Sequence, residues 1–253
     1  MNILEKILNV KRQEIQQIED IEFGEMVGQI RSLKDALSKP GISVIAEIKM
    51  KSPSEGEISP YAGPAQIAKD YESAGAAAIS VLTDQSFFGG SLDILKSVRD
   101  AVSIPVIRKD FIIDQKQISE TIHYNGDAFL LIADALDQDS LQQLMNIGKM
   151  AGLEFLVEFH DEKHAEFISA LNPEIVGINC RNLKTMATDI TYFEKMISSL
   201  PSNSVRVAES GIHTSDDLKY VSDLGYDAAL IGTSLMKTGN PGKALEELLG
   251  RLS

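Results

Sequence analysis

The stretch Ala77-Ala-Ile-Ser-Val-Leu82, followed by Ser91-Leu-Asp-Ile-Leu-Lys-Ser-Val-Arg-Asp-Ala101 and then Pro105-Val-Ile-Arg-Lys109, reads as one strand–helix–strand unit. The outer segments are short, β-rich and apolar. The middle one is longer and amphipathic, opened by a serine that can cap a helix. Strands alternating with helical stretches in this way predict βα units and a parallel sheet.

Working outward in both directions, the unit recurs eight times. Strands are predicted at Ser43–Ile48, Ala77–Leu82, Pro105–Lys109, Ala128–Ile132, Phe155–Glu158, Ile175–Asn179, Ser204–Glu209 and Ala228–Ile231. Helix-like segments lie between them, among them Gly63–Ala74, Ser91–Ala101, Ser140–Ala151 and Ser215–Leu224, and glycines at 75, 126, 152 and 225 mark helix-to-strand turns. Eight such units in 253 residues predict an α/β protein, a single (β/α)8 TIM barrel. The barrel proper is expected over 41–253, and residues 1–40 form an additional N-terminal helical segment. That segment carries Ile3, Leu4, Ile7 and Leu8, continued by Ile15 and Ile18, and reads as one or two helices packed on the barrel. An open doubly wound sheet uses the same units in another strand order, and periodicity does not separate the two.

Composition narrows the function. With 43% hydrophobic and 24% charged residues the chain falls among ordinary folded domains, so a disordered or fibrous class is excluded. A net charge of −13, from 24 Lys+Arg against 37 Asp+Glu, would repel a nucleic-acid backbone over most of the surface. An anionic small molecule would need a local cluster of cations and backbone N–H groups. The one cysteine, Cys180, has no intrachain partner, and no Cys/His spacing suggests a metal site. The N-terminus is charged too early for a signal peptide, and no apolar run approaches the roughly 20 residues of a membrane span. A cytoplasmic monomer that binds neither membrane nor nucleic acid is expected.

In a barrel of this kind the functional groups gather at the C-terminal ends of the strands. Here those ends read Glu47-Ile-Lys49, Arg108-Lys-Asp110, Glu158-Phe-His160, Asn179-Cys-Arg181, Glu209-Ser-Gly211 and Gly232-Thr-Ser234. Residues two apart share a side of a strand, so Glu47 and Lys49 follow Ile45, Lys109 follows Ile107, and Asn179 pairs with Arg181. Turned inward, Glu47, Lys49, Lys109, Glu158, Asn179, Arg181 and Glu209 form a polar ring able to hold acid, base and anion-binding groups. Any one of them taken singly is ordinarily a solvated charge, and the combination carries the argument. Arg108 and Asp110 point the other way and read as structural ion-pair partners; Cys180 reads as packing and His160 as a helix start. Gly211 and Gly232, each beside a hydroxyl at the end of the last two strands, suit close approach of backbone N–H groups to a phosphate.

Six segments together resemble the indole-3-glycerol-phosphate synthase family: Ile45-Ala-Glu-Ile-Lys-Met-Lys-Ser-Pro-Ser-Glu-Gly56, Leu82-Thr-Asp-Gln-Ser-Phe-Phe-Gly-Gly90, Pro105-Val-Ile-Arg-Lys-Asp-Phe111, Ile178-Asn-Cys-Arg-Asn-Leu183, Val207-Ala-Glu-Ser-Gly-Ile212 and Ile231-Gly-Thr-Ser-Leu-Met236. The resemblance runs over nearly the whole chain, departing at Met50, where a basic residue is frequent, and at Cys180. It implies a cofactor-free conversion of 1-(2-carboxyphenylamino)-1-deoxyribulose 5-phosphate to indole-3-glycerol phosphate, CO2 and water. It further implies Lys109 as general acid and Glu158 as general base, with Lys49, Glu47, Asn179 and Glu209 completing the catalytic set. Arg181, Ser210, Ser52, Phe111 and Phe88 match substrate-binding positions, and Gly211, Gly232 and Thr233 match the phosphate site. The resemblance also sets the N-terminal segment over the catalytic mouth. The rival readings are another phosphosugar barrel, an isomerase or a Schiff-base aldolase using Lys109, and a noncatalytic barrel that binds a phosphate ligand.

Overall fold

A barrel needs its first strand to pair with its last, and this pairing is present. The computed structural model describes residues 2–19, 29–52, 56–58, 62–182 and 187–250. Among them β1 (Ser43–Ile48), β2 (Ala78–Leu82), β3 (Val106–Lys109), β4 (Ala128–Ile132), β5 (Glu154–Phe159), β6 (Ile175–Asn179), β7 (Val205–Glu209) and β8 (Ala228–Ile231) form a closed parallel ring. Ser43 pairs with Ala228 and Ile45 with Leu230, which closes the ring and rules out the open sheet. Predicted and observed strands differ by one residue at one end in β2, β3 and β7 and at both ends in β5.

Alternation sorts the strand residues into two cores. Ile45, Ala78, Ile107, Leu130, Leu156, Ile175, Val207 and Leu230 fill the lumen. Val44, Ala46, Ile79, Val81, Phe129, Val157, Val176 and Ile178 face outward beneath the helices. The helical shell comprises Pro64–Ala74, Leu92–Ala101, Gln115–His123, Gln138–Met150, Ala165–Leu171, Tyr192–Met196, Ser215–Asp223 and Pro241–Leu248.

Local signals were read unevenly by pattern. Ser91 caps its helix as expected, accepting from the Ile94 N–H. Ser140 and Ser215 do not cap theirs: Asp137 and Thr214 do, so that the Ser140 N–H is the donor, at 2.7 Å. At the turn into β4 the left-handed residue is Asn125 (φ 58°), and Gly126 is required instead for close packing, since a Cβ there would lie 2.8 Å from Thr121 Cγ2.

The N-terminal segment is helical as expected, with α1 on the rim of the mouth, but it does more than pack on the barrel. The two helices described in it, α1 (Ile3–Ile15) and α2 (Leu33–Leu37), engage opposite ends of the barrel. Leu33 and Leu37 belong to the lumen cluster and floor it. Around them the Arg31 N–H donates to Asp127 at 2.9 Å, the Arg31 guanidinium donates to the Ile104 carbonyl at 2.9 Å, and Ser32 and the Lys34 N–H each donate to Glu154 at 2.8 Å. Ile104, Asp127 and Glu154 all stand at strand starts. On the opposite rim Lys11 of α1 pairs with Asp84 and Asp110, just beyond the ends of β2 and β3. The segment is therefore not simply packed on the outside, because it supplies side chains that neither the lumen nor the rim satisfies by itself.

This geometry predicts that Leu33→Ala, which opens a cavity in the lumen floor, lowers unfolding free energy by about 2–5 kcal/mol. Met150→Ala, at an 88% exposed site, should change it by less than about 0.5 kcal/mol. Denaturant unfolding followed by circular dichroism reads both, and equal midpoints would show that α2 contributes nothing to the floor.

Candidate active site

The inward alternation that fills the lumen turns polar at its last position. Glu47 follows Ile45 in β1, Lys109 follows Ile107 in β3, Glu158 follows Leu156 in β5, Asn179 ends β6 and Glu209 follows Val207 in β7. With Lys49 and Arg181 they line one cavity at the mouth. The Lys109 ammonium sits 3.0 Å from Glu209, 3.2 Å from Glu158 and 3.9 Å from Glu47. Asn179 donates to the other Glu158 oxygen at 2.8 Å, and Lys49 lies 2.9 Å from Glu47. The Arg181 N–H donates to the Asn179 side chain at 3.0 Å, which orients that amide.

Burial and charge oppose one another here. Burial by itself would lower the pKa of Lys109, but Glu158, Glu209 and Glu47 outweigh it and hold the ammonium above the ordinary lysine range. Burial likewise favours a neutral Glu158, yet Lys109 together with hydrogen bonds from Glu209, Asn179 and Lys109 keeps it below the usual carboxylate range. Glu209 moves the other way: burial and the charge of Glu158 push it well above that range. Glu47 is lowered, because Lys49, Lys109 and Arg181 overcome its burial. Two neighbouring carboxyls driven apart in this manner favour different protonation states beside one ammonium. A charged Lys109 is suited to donate a proton and unsuited to attack a carbonyl, which disfavours Schiff-base chemistry.

Ser210, Gly211, Gly232 and Thr233 border the same cavity. Ser210 and Gly211 both take φ 71°, and the serine occupies a conformation that costs a side-chain-bearing residue about 1 kcal/mol or more. The loop after β8 is tied to the loop after β7 by Ser234, whose hydroxyl donates to the Ile212 carbonyl at 3.1 Å. Gly232 is needed for proximity, since a Cβ there would fall 2.3 Å from Glu47 Oε1. The opposite wall is apolar: Phe88 and Phe111 have ring centroids 6.2 Å apart and stand with Leu82, Leu130 and Ile132.

Of the residues singled out by sequence, thirteen of the fourteen site positions therefore border one cavity. The exception is Ser52, which pairs through its backbone with Gly56 in a short antiparallel ladder; its side chain lies outside the described part of the structure, as do residues 53–55 and Leu183 of the matched segments. Arg108 and Asp110 are ion-paired at 3.3 Å; Arg108 lies away from the cavity, whereas Asp110, expected to point away as well, borders it beside Lys109 and Phe111. Cys180 is buried, with its thiol toward the Ser210 carbonyl, and the His160 ring contacts the Asn179 carbonyl at 2.8 Å. Among the described residues no group of three or more His, Cys, Asp or Glu is arranged to hold a metal ion, and no helix is long and apolar enough to cross a membrane. Pattern reading missed Leu82, Leu130, Ile132, His213 and Ser234, which also line the cavity. Leu130 and Ile132 were accessible to the alternation argument, being the inward residues of β4, but a strand ending without charge drew no attention.

The model of the family described as indole-3-glycerol phosphate synthase matches residues 4–248. Curated proteins of that name are similar along most of their length. The one from Halalkalibacterium halodurans is 43% identical over 98% of this chain and 97% of its own, and that from Geobacillus sp. is 45% identical over 97% and 96%. That from Mycolicibacterium gilvum is 45% identical over 85% of this chain and 79% of its own. Among solved structures, the N-acetylmannosamine-6-phosphate 2-epimerase from Clostridium perfringens aligns with a TM-score of 0.61 at 12% identity, covering 91% of this chain and all of its own, a likeness of fold.

The contact between Gly232 and Glu47 sharpens what a side chain at 232 would do. Gly232→Ala should weaken inhibition by inorganic phosphate and also lower turnover, because the new methyl displaces Glu47 as well as crowding the loop. Steady-state kinetics with phosphate as inhibitor separates the two effects. Unchanged phosphate inhibition in a folded variant places the anion elsewhere.

Proposed function

The chain belongs to the indole-3-glycerol phosphate synthase family, and from that premise we propose how its residues divide the reaction, with Lys109 as general acid and Glu158 as general base. The activity is that of a carboxy-lyase, EC 4.1.1.48, in tryptophan biosynthesis: 1-(2-carboxyphenylamino)-1-deoxy-D-ribulose 5-phosphate becomes indole-3-glycerol phosphate, CO2 and water.

The ring carbon that bears the carboxylate must attack the ketone, and the negative charge that develops on the ketone oxygen needs a proton donor. Lys109 supplies it, and the observation that carries this assignment is the ammonium held charged between Glu158 and Glu209 at the centre of the mouth. Carbon–carbon bond formation interrupts aromaticity and loss of CO2 begins to restore it. Elimination of the new hydroxyl then completes the indole: Glu158 takes a proton from the indoline, and a lysine ammonium of the mouth protonates the departing oxygen so that it leaves as water. Asn179 and Glu209 hold Glu158 and Lys109 in register, and Glu47 holds Lys49, an anion contact beside Arg181. Ser210, Gly211, Gly232 and Thr233 receive the phosphate, Phe88 and Phe111 receive the aryl ring, and Ser52 is a substrate contact by its place in the family motif. Anchoring both ends folds a flexible substrate into reactive geometry, a source of rate in its own right. Every step is redox-neutral, and the electrons released with CO2 flow back into the ring that regains its aromaticity, so the substrate provides its own electron sink and no cofactor is called for.

We take residues 1–253 as one domain acting as a monomer in the cytoplasm, with no nucleic-acid partner. What supports this is the acidic net charge of −13, the single buried cysteine, and a described surface on which Met150 is the one large hydrophobic side chain left mostly exposed.

Lys109→Met retains an apolar stem and removes the proton. We expect kcat to fall by at least about a hundredfold with a much smaller change in KM, and Lys49→Met to show the larger binding component. Indole fluorescence on incubation with the carboxyphenylamino-deoxyribulose phosphate reads both variants. Near-normal kcat in folded Lys109→Met would refute the acid assignment, and a borohydride-trapped adduct on Lys109 would replace it with an aldolase-type mechanism.

A further inference from the structure

Lys11 is a lysine with 4% exposure, set on the apolar face of α1 with Ile7 and Leu8. Its ammonium lies 2.7 Å from Glu14, 3.0 Å from Asp84 and 2.9 Å from Asp110. It does not border the catalytic cavity. Asp110 does border it, and both aspartates hold backbone at or beside aromatic residues that line it. Asp84 caps the short helix Gln85–Phe88, accepting from the Phe87 N–H at 2.7 Å, and its carbonyl accepts from the Gly90 N–H at 2.9 Å. Asp110 accepts from the Phe111 N–H at 2.8 Å and from the Thr83 hydroxyl at 2.7 Å. The backbone beneath each half of the Phe88–Phe111 wall is thus held by a buried carboxylate, and the two carboxylates converge on one ammonium from the N-terminal helix.

We propose that Lys11 is a positioning residue for recognition of the substrate's aryl group, acting through Asp84 and Asp110 to fix Phe88 and Phe111. This deepens the function assigned above and rests on it for the identity of the aryl ligand. Asp84 is fully buried and Asp110 is 3% exposed, so removal of the ammonium leaves two carboxylates facing each other without solvent. Arg108 remains near Asp110 at 3.3 Å, but its guanidinium also serves Glu120 at 3.0 Å. A buried charge stripped of its partner is strongly unfavourable, and relief comes by separating the carboxylates or protonating one. Either change loosens the Asp84 cap or the Asp110 contact, and with them the spacing of the two rings. The phosphate loops after β7 and β8 have no link to Lys11 in this network.

The test uses the full chain, with anthranilate and inorganic phosphate as separate inhibitors. In Lys11→Met, KM for the phosphosugar substrate and the anthranilate inhibition constant should each rise at least tenfold, while phosphate inhibition stays within twofold and kcat falls less than KM rises. Lys11→Arg should recover most of the aryl affinity. Should Lys11→Met fold poorly, Lys11→Met/Asp84→Asn decides the matter, because asparagine still caps and one negative charge is gone with the positive one. That double variant should fold and bind anthranilate within about threefold of the parent enzyme. Unchanged anthranilate inhibition in folded Lys11→Met, equal loss of phosphate and anthranilate inhibition, or a folded double variant with tenfold weaker aryl binding would each overturn the proposal. Failure of the unaltered protein to make indole-3-glycerol phosphate would instead overturn the function itself, so the two failures are distinguishable.

Discussion

Every second side chain of the eight strands is directed into a lumen that has no edge and is floored by Leu33 and Leu37. In so confined a space apolar groups fill volume without penalty, while a charge survives only beside its opposite. The inward column stays apolar from Ile45, Ile107, Leu156 and Val207 and turns ionic one step later, at Glu47, Lys109, Glu158 and Glu209. At that level Glu158 and Glu209 both meet Lys109, which is why one ammonium at the mouth can remain charged, while burial and the nearness of Glu158 push Glu209 the opposite way from its neighbour. The chemistry at the mouth is a consequence of the packing beneath it.

The acidic surface makes the same point from the other side. A chain of net charge −13 gathers Lys49, Lys109 and Arg181 around one cavity and partners them with Glu47, Glu158 and Glu209. A doubly anionic substrate meets these cations at close range, where low dielectric gives them force, while the distant surface charge is largely screened by salt. Local arrangement decides binding and net charge does not.

What could be read from sequence follows from how far each signal reaches. The strands, their inward faces and the polar ring are written in spacings of one or two residues, and they emerged within a residue of their observed bounds. The helix caps depend on which of several neighbouring Asp, Ser and Thr residues takes the bond, so Asp137 and Thr214 cap helices whose pattern is visible only from Ser140 and Ser215 onward. The two roles of the N-terminal segment depend on partners far along the chain: Ser32 meets Glu154 across 122 residues, and Arg31 meets Asp127 across 96. No local pattern encodes such a contact. Lys11 did leave a trace, a charged residue on the apolar stripe of α1, but a stripe with one charge is also what an ordinary surface helix shows.

The grip of the first forty residues on both rims has a consequence for the order in which the molecule can assemble during synthesis. Leu33 and Leu37 leave the ribosome well before Leu156, Val207 or Leu230, the side chains that later surround them. The ring itself closes only once Ala228–Ile231 has been made and reaches β1. Until then the floor leucines have no lumen to enter and the Lys11 ammonium waits for Asp110. A segment made before the strands that receive it is thus among the last to find its final partners, so a nascent chain must keep an apolar turn shielded while the rest of the ring is made.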